Sequence, residues 1–530
     1  MTEDHLHNAN PILAAGRNCW IADAPVEESG LLVDGRDYYR AFWEAARQCK
    51  RYLLIAGWRF NSDVRLMRGA DAEEIGGEVK FLPFLDDLCV KNPDLRIYIL
   101  TWDFSVIYAH EWELFQESKF QQAPHGRLQF RFDSEHAIGA SHHQKFAVVD
   151  GVAGFVGGLD FNSDDWDDRR HLAFNPDRCD SGKEPHDPYH DIQAYLTGPA
   201  VRELTAYFEA RWRTAGGDAL NLPSTEAAAP IRITPTIPIT ASQIAFSHNK
   251  PKTLSNPNDS YHLRQLHVDA IAAAEELIYI ENQYFSSTVV LQALLERMRA
   301  ADRPKLDIAV VLPKRFPSWV ESFTLGPPRF RMLEQLREAA GETGHRLGVY
   351  YTAAPSVNGD EVPVLIHSKL LLVDDRFLTV GSCNTSNRSM GLDTELHVAW
   401  EATWPAQASL VESIRRSRID LLAEHCGLKE SEASRRLAPA RGLVDRLDEI
   451  CRIPGLRLRR LTPELIAEDQ EWLKKLDEWG FSFDPATPLI EDTLYEQVLP
   501  ASDAWLAEGL TLVRDFFKPP AKEAQRSVSR

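Results

Sequence analysis

The chain has 530 residues, 44% of them hydrophobic and 10% aromatic, and a formal charge of −19. That length exceeds one ordinary core and suits two fused halves, and the composition excludes a disordered chain. The charge argues against a nucleic-acid surface, which needs a positive footprint. Seven scattered cysteines (Cys19, Cys49, Cys89, Cys179, Cys383, Cys426 and Cys451) include no CxxC, and read as reduced thiols. Residues 1–11 are polar, and no apolar run reaches the length of a membrane span. The expectation is a soluble protein made in the cytoplasm; export would need a leaderless route.

In chain order, Tyr38 to Arg51 has helical periodicity and runs into the apolar, strand-like Tyr52 to Trp58. A second strand follows at Arg96 to Phe104, then a His-x-Lys at His143, an apolar run, a turn and another short apolar run. Leu222 to Ala241 carries four prolines without a sustained period, as a linker would. The same order then recurs: helix Tyr261 to Glu276, strand Leu277 to Phe285, strand Leu306 to Pro313, and a His-x-Lys at His367. His143 and His367 lie 224 positions apart. Gly157 and Gly381 each follow their histidine by 14 positions, Asp160 and Asn384 by 17, and Trp58 and Asn282 precede it by 85. The pattern predicts an α/β, bilobed, duplicated fold: two mixed β-sheets flanked by helices, with the active site at the lobe interface. The expected divisions are residues 1–220 and 242–428 for the halves and 221–241 for the linker. Residues 429–530 are expected to form a helical extension, including Ile466 to Glu478, ending in a disordered tail from Pro519.

His143-Gln-Lys145-Phe-Ala-Val-Val-Asp150 and His367-Ser-Lys369-Leu-Leu-Leu-Val-Asp374 are two copies of HxKxxxxD. On a strand, i and i+2 share a face, so each His and Lys project together. Two such pairs suit cleavage of a phosphodiester. One imidazole attacks phosphorus, and the other protonates the leaving oxygen and later deprotonates water. Two lysines stabilise charge on the five-coordinate species without a metal. One copy would be weak evidence, but two copies within a matching repeat are not.

These motifs resemble the phospholipase D superfamily, nearest its plant and other eukaryotic phosphatidylcholine-type members. Further resemblance lies in AGWRF (Ala56 to Phe60), GGLDFNSDDWD (Gly157 to Asp167), PYHDIQAYLTGPA (Pro188 to Ala200), YIENQYF (Tyr279 to Phe285), GSCNTSNRSM (Gly381 to Met390) and DTELHVAW (Asp393 to Trp400). It implies a phospholipase D that hydrolyses glycerophospholipids, with transphosphatidylation to alcohols as a second outcome. His143 would be the nucleophile and His367 the acid/base, supported crosswise by Glu395 and Asp191. Lys145, Lys369 and Asn384 would hold the phosphate, with Asp160 in the asparagine's place in the first half and Gly158 and Ser382 lining the pocket. Asp150 and Asp374 complete the motifs in a structural role. Implied partners are a phospholipid surface and no nucleic acid, with a monomer expected because both half-sites share one chain. No cofactor is required, and Ca²⁺ enters only as an activator. A phosphatidyl transferase of the cardiolipin-synthase type is the alternative, and a nuclease of the same superfamily a weaker one.

Other signals weigh less. His186 and His190 have the i, i+4 spacing of a helical zinc pair, but Pro188 lies between them, so no metal site is expected. The acidic run Asp164, Asp165, Asp167 and Asp168 is expected to be a solvated or substrate-flanking loop. Lys314 to Phe330 reads as a Pro/Gly-bounded loop carrying Phe316, Trp319, Phe323 and Phe330, either packed between the lobes or forming an apolar rim for lipid chains.

Overall fold

The structure is a computed structural model that describes residues 11–103, 116–121, 126–137, 139–225, 229–253, 257–355, 360–403, 407–468 and 484–487. Two large mixed sheets dominate it. The first runs, edge to edge, through Ile237–Ile239, Ser29–Val33, Ile192–Thr197, Ala153–Gly157, Lys145–Val149, Tyr52–Gly57, Arg96–Trp102 and Leu128–Asp133. The second repeats the order of seven of these strands with Gln243–Lys250, Glu395–Glu401, Phe377–Gly381, Leu370–Val373, Leu277–Glu281, Asp307–Val311 and Arg346–Pro355. The parallel pairings also coincide, Tyr52–Gly57 with Arg96–Trp102 in one lobe and Leu277–Glu281 with Asp307–Val311 in the other. The duplication in the sequence is therefore a duplication of topology.

The central strands are buried along their whole length, as expected of sheets covered on both faces. Along Leu53–Ala56, alternate residues serve different layers. Leu54 and Ala56 join an inner core shared with Leu370, Leu372, Val380 and Val398 of the other lobe, while Leu53 and Ile55 face an outer core with Phe42 and Phe81. The helix Asp34–Gln48 fills that outer layer with Tyr38, Tyr39, Phe42 and Trp43. Helices Val201–Thr214 and Ala408–Cys426 pack into the shared core through Phe208, Trp212, Ile414 and Leu421. The two sheets thus meet face to face, and burying such side chains is worth about 1.5–3 kcal/mol each.

Several sequence expectations are corrected. The stretch taken as a linker ends in a strand: Ile237–Ile239 pairs antiparallel with Ser29–Leu31 of the first sheet. In exchange, Ile21–Pro25, assigned to the first half, pairs with Gln243–Phe246 of the second sheet. The extension beyond 428 is not wholly helical, because Leu458–Arg460 adds antiparallel to Tyr350–Thr352. Most of Ile466 to Glu478, and the tail from Pro519, lie outside the described residues. Lys314 to Phe330 is not all loop, since Trp319–Thr343 is one helix containing Pro327 and Pro328, capped by Ser318 Oγ accepting from the Glu321 N–H. Phe316 is buried against the Arg329 guanidinium and Phe330 is half-buried, while the side chains of Trp319 and Phe323 lie outside the described residues. All seven cysteines are free thiols. Among the described residues no helix is long and apolar enough to cross a membrane.

Candidate active site

Both histidines lie just ahead of a buried strand, Lys145–Val149 or Leu370–Val373, and each is tied by its main chain to the opposite lobe. The His143 N–H donates to Thr394 O at 3.0 Å, and the Thr394 N–H to Ser141 O at 3.0 Å. On the other side, Leu365–Ile366 pairs parallel with Tyr189–His190, and the His367 N–H donates to His190 O at 2.8 Å. In each case the next residue of the opposite lobe is a carboxylic acid facing that imidazole. His143 Nδ1 lies 3.1 Å from both oxygens of Glu395, and His367 Nδ1 lies 2.6 Å from Asp191 Oδ2. Gln193 pairs with Gly157 and His397 with Gly381, so Asp191 and Glu395 stand two residues before equivalent positions in the two sheets.

With Nδ1–H engaged, each imidazole presents its Nε2 lone pair away from the acid. The acids are fully buried, whereas the His143 and His367 side chains keep 16% and 14% of their surface exposed. Burial pushes Glu395 up to about 7 and Asp191 up to about 6. Burial, then the neighbouring lysine charges, hold both imidazoles well below their usual value, favouring the neutral, nucleophilic form in the free site.

Lys145 and Lys369 are buried beside the histidines, and each Nζ donates to the carbonyl of its own motif histidine. Their remaining partners differ. Lys145 Nζ sits 3.5 Å from Asp160 Oδ2, whose other oxygen accepts the Trp58 N–H at 2.9 Å. Lys369 Nζ donates to the neutral Gln283 Oε1 at 3.2 Å, and burial lowers it to about 8. Asn384 is buried, and its Oδ1 has no hydrogen-bond partner. Asp160 therefore serves as the counter-ion of Lys145, in a position where Asn384 leaves its amide uncommitted. Tyr189 packs beside His367 at 5.3 Å between ring centroids, and Lys145 Nζ lies 6.0 Å from the Trp58 ring centre.

Asp150 and Asp374 sit at equivalent turns directly after the strands Lys145–Val149 and Leu370–Val373. The Asp150 carboxylate accepts the N–H groups of Lys50, Arg51 and Tyr52, and that of Asp374 those of Glu275, Glu276 and Leu277. Both pin the turn between the first helix of their lobe and the strand that follows it, Tyr52–Gly57 or Leu277–Glu281. Gly158 and Ser382, expected to line the phosphate pocket, instead pack on the acids. A Cβ at Gly158 would lie 2.3 Å from Asp191 Oδ1, and Ser382 Oγ donates to Glu395 Oε2. The acidic run is not solvated. Asp165 meets Arg59 at 3.3 Å, Asp167 meets Arg178 and His171, Asp168 meets Arg170, and among the four only Asp164 is exposed. Sequence reasoning missed Gln283, although it lies 224 positions after Arg59 in the same repeat register.

Two family profiles match the chain, "Phospholipase D" over residues 45–295 and "Cardiolipin synthase, PLD-like domain" over residues 267–416. Phospholipase D A of Dictyostelium discoideum is 24% identical over 416 residues, 68% of this chain and 32% of that protein. The chain belongs to the phospholipase D superfamily. Phospholipase D alpha 3 of Arabidopsis thaliana is 24% identical over 520 residues, 73% of this chain and 62% of that protein. The chain thus spans between about a third and two thirds of these superfamily relatives. The crystal structure of phosphatidylserine synthase from Haemophilus influenzae Rd KW20 superposes with a TM-score of 0.52 at 15% identity, covering 90% of this chain and 96% of that one, which shows the shared fold.

Proposed function

We propose that the protein is a phospholipase D that cleaves the head-group phosphodiester of glycerophospholipids, releasing phosphatidic acid and a free head-group alcohol. The observation that carries this reading is the pair of crossed contacts, His143 with Glu395 and His367 with Asp191, with a lysine beside each histidine. The diester anion lies between Lys145 and Lys369, with Asn384 donating its amide. The anion offsets the lysine charges that depress the imidazoles, so His367 can carry a proton on Nε2. His143 Nε2 attacks phosphorus, the bond to the head-group oxygen breaks, and His367 donates its proton to that oxygen. His367 then takes a proton from water, whose oxygen attacks phosphorus and breaks the P–N bond. An alcohol in place of water gives transphosphatidylation by the same step. No metal is required for this sequence, and Ca²⁺ acts only by bridging anionic groups at a lipid surface.

The enzyme meets its substrate at a membrane surface and works as a monomer. Among the described residues the most exposed large apolar side chains include Phe174 at 70% and Leu172 at 42%. They follow Asp167, whose carboxylate accepts the backbone N–H of Tyr189 beside His367. This loop is the apolar rim of the proposed membrane face.

A second reading, phosphatidyl transfer to a lipid or amino-acid alcohol, is supported by the synthase names of the second family profile and of the solved structure. Phosphatidylcholine and phosphatidylethanolamine micelles distinguish the two, with free head group and phosphatidic acid expected in water alone. Phosphatidylglycerol turned over only into cardiolipin, with no phosphatidic acid, would favour the transferase.

A further inference from the structure

Behind Asp191, two imidazoles and two carboxylates converge in the interior. His190 Nδ1 lies 3.0 Å from Glu424 Oε1 and 3.0 Å from Asp34 Oδ1. His171 Nε2 lies 3.0 Å from the same Glu424 oxygen and 3.3 Å from Asp34 Oδ2. All four residues are buried, and their ligand atoms lie within 4.8 Å of one another. Each nitrogen faces two oxygens but has one position for a proton, and both nitrogens point at one Glu424 oxygen. Asp34 Oδ2, fully enclosed, has no hydrogen-bond partner in this arrangement.

The far nitrogens are held as those of metal-ligating histidines are held. His171 Nδ1 lies 3.0 Å from Asp167 Oδ2, and His190 Nε2 lies 3.0 Å from Glu281 Oε2. A carboxylate on the outer N–H leaves the inner nitrogen with its lone pair directed at the shared centre. Charge points the same way. Asp34, Asp167, Glu281 and Glu424 are buried together, Arg178 pairs with Asp167, and Arg169 with Glu424. With the Arg457 guanidinium at the Glu424 carbonyl, three guanidinium groups still face four carboxylates, Arg169 being shared with Asp420, and uncompensated buried charge is costly. A divalent cation offsets that excess with the imidazoles neutral. Protons on both imidazoles would offset the charge too, with His171 Nε2 then facing Asp34 Oδ2 at 3.3 Å and His190 Nδ1 facing Asp34 Oδ1 at 3.0 Å, but both N–H groups would also converge on one Glu424 oxygen.

We infer that Asp34, His171, His190 and Glu424 form a structural site for a divalent transition-metal ion of the Zn²⁺ kind, with Asp167 and Glu281 orienting the two imidazoles. Two imidazole nitrogens with two carboxylates suit Zn²⁺ rather than the all-oxygen shells of Ca²⁺ or Mg²⁺. Full burial of all four residues leaves no open coordination position, so the ion braces the fold and does not activate water. Its ligands come from the start of the helix Asp34–Gln48, the loop after Asp168, the residue before Asp191, and the helix Ala408–Cys426 that follows the second sheet. It would therefore fasten the two lobes together. It would also steady Asp191, which accepts the Asp34 N–H at 2.8 Å and donates its own N–H to Asp34 Oδ1 at 3.3 Å. His190 thus serves a metal site, but with partners other than His186.

The test is metal content and coordination in the full chain, purified without a polyhistidine tag and dialysed against metal-free buffer. About one equivalent of Zn²⁺ per chain is expected, with X-ray absorption showing two imidazoles in a four-ligand shell at ~2.0 Å. Stripping with dipicolinate should lower Tm, and one equivalent of ZnCl₂ should restore it. Glu424→Gln and His171→Gln should each retain less than about a tenth of an equivalent. If those variants fail to fold, the wild-type protein still decides. A stripped chain that retains its Tm and neither binds nor is stabilised by Zn²⁺, Co²⁺ or Mn²⁺ overturns the site. An absorption spectrum with oxygen or sulfur ligands alone overturns it equally. None of these readouts depends on the lipid activity, so the two proposals fail separately.

Discussion

Gly158 and Ser382 occupy the same place in the two lobes, 224 positions apart, and each is packed against the acid that supports the other lobe's histidine. At 158 the absent side chain leaves room for the Asp191 carboxylate, and at 382 a hydroxyl donates to Glu395. Gly158→Ala should push Asp191 off His367 and lower kcat about 100-fold, the scale of a misplacement of about 1 Å, with little change in KM. Ser382→Ala should lower kcat about 10-fold by removing one charge-assisted hydrogen bond, and Ser382→Thr should restore it. Steady-state kinetics on a soluble nitrophenyl phosphodiester measure both, and an unchanged kcat in Gly158→Ala would remove Asp191 from the account.

Lys369 steepens the alkaline limb. Its ammonium is lowered to about 8 by burial, so above about 8 its deprotonation adds to that of His367 and kcat/KM on a soluble diester should fall more steeply with pH. Between about 8 and the ordinary lysine value the unfolded chain binds more protons than the folded one, so this group's contribution to stability rises with pH while activity falls. Lys369→Arg keeps its charge throughout that range and should make the limb shallower, even as its altered reach lowers kcat. An equally steep limb in that variant would assign the ionisation to another group.

Asp150 and Asp374 each gather three backbone N–H groups at a turn with positive φ, 51° and 55° respectively. Replacing either by Ala leaves buried donors without an acceptor and should cost about 2–4 kcal/mol, read by urea denaturation. The folded fraction should keep its kcat on a soluble diester within about threefold. A large loss of kcat at full stability would make them part of the reaction rather than of the scaffold.

Leu172→Ser and Phe174→Ser combined should weaken binding to phosphatidylcholine vesicles and slow interfacial turnover while sparing the soluble diester. Removing two exposed apolar side chains at a surface costs about 1.5–3 kcal/mol each where they insert. Equal activity on vesicles would place the membrane face elsewhere.

The duplication and the two motifs that the fold brings together were legible because the chain spells them twice, with His143 and His367, Gly157 and Gly381, and Trp58 and Asn282 in one register. The edge strands were not. Ile21–Pro25 and Ile237–Ile239 are short, proline-containing segments whose partners, Gln243–Phe246 and Ser29–Leu31, lie about 200 residues away, so no local period announces them. The helix Trp319–Thr343 carried a readable start, Ser318 followed three residues later by Glu321, but Pro327 and Pro328 inside it argued for a loop. Asp34, His171, His190 and Glu424 have no ligand spacing at all, because their meeting point exists only after both lobes and the following helix have packed.

The most direct measurement is the fate of phosphorus in His367→Asn. Without its general base the enzyme should still form a covalent intermediate from a nitrophenyl phosphodiester, whose leaving group needs little protonation, but should hydrolyse it slowly. Rapid quench and peptide mapping should then find a burst of nitrophenol matched by phosphorus on His143. Label on His367 sequences in the wild-type enzyme would reverse the roles assigned to the two histidines, and a clear burst with no phosphohistidine would contradict the covalent mechanism on which the account rests.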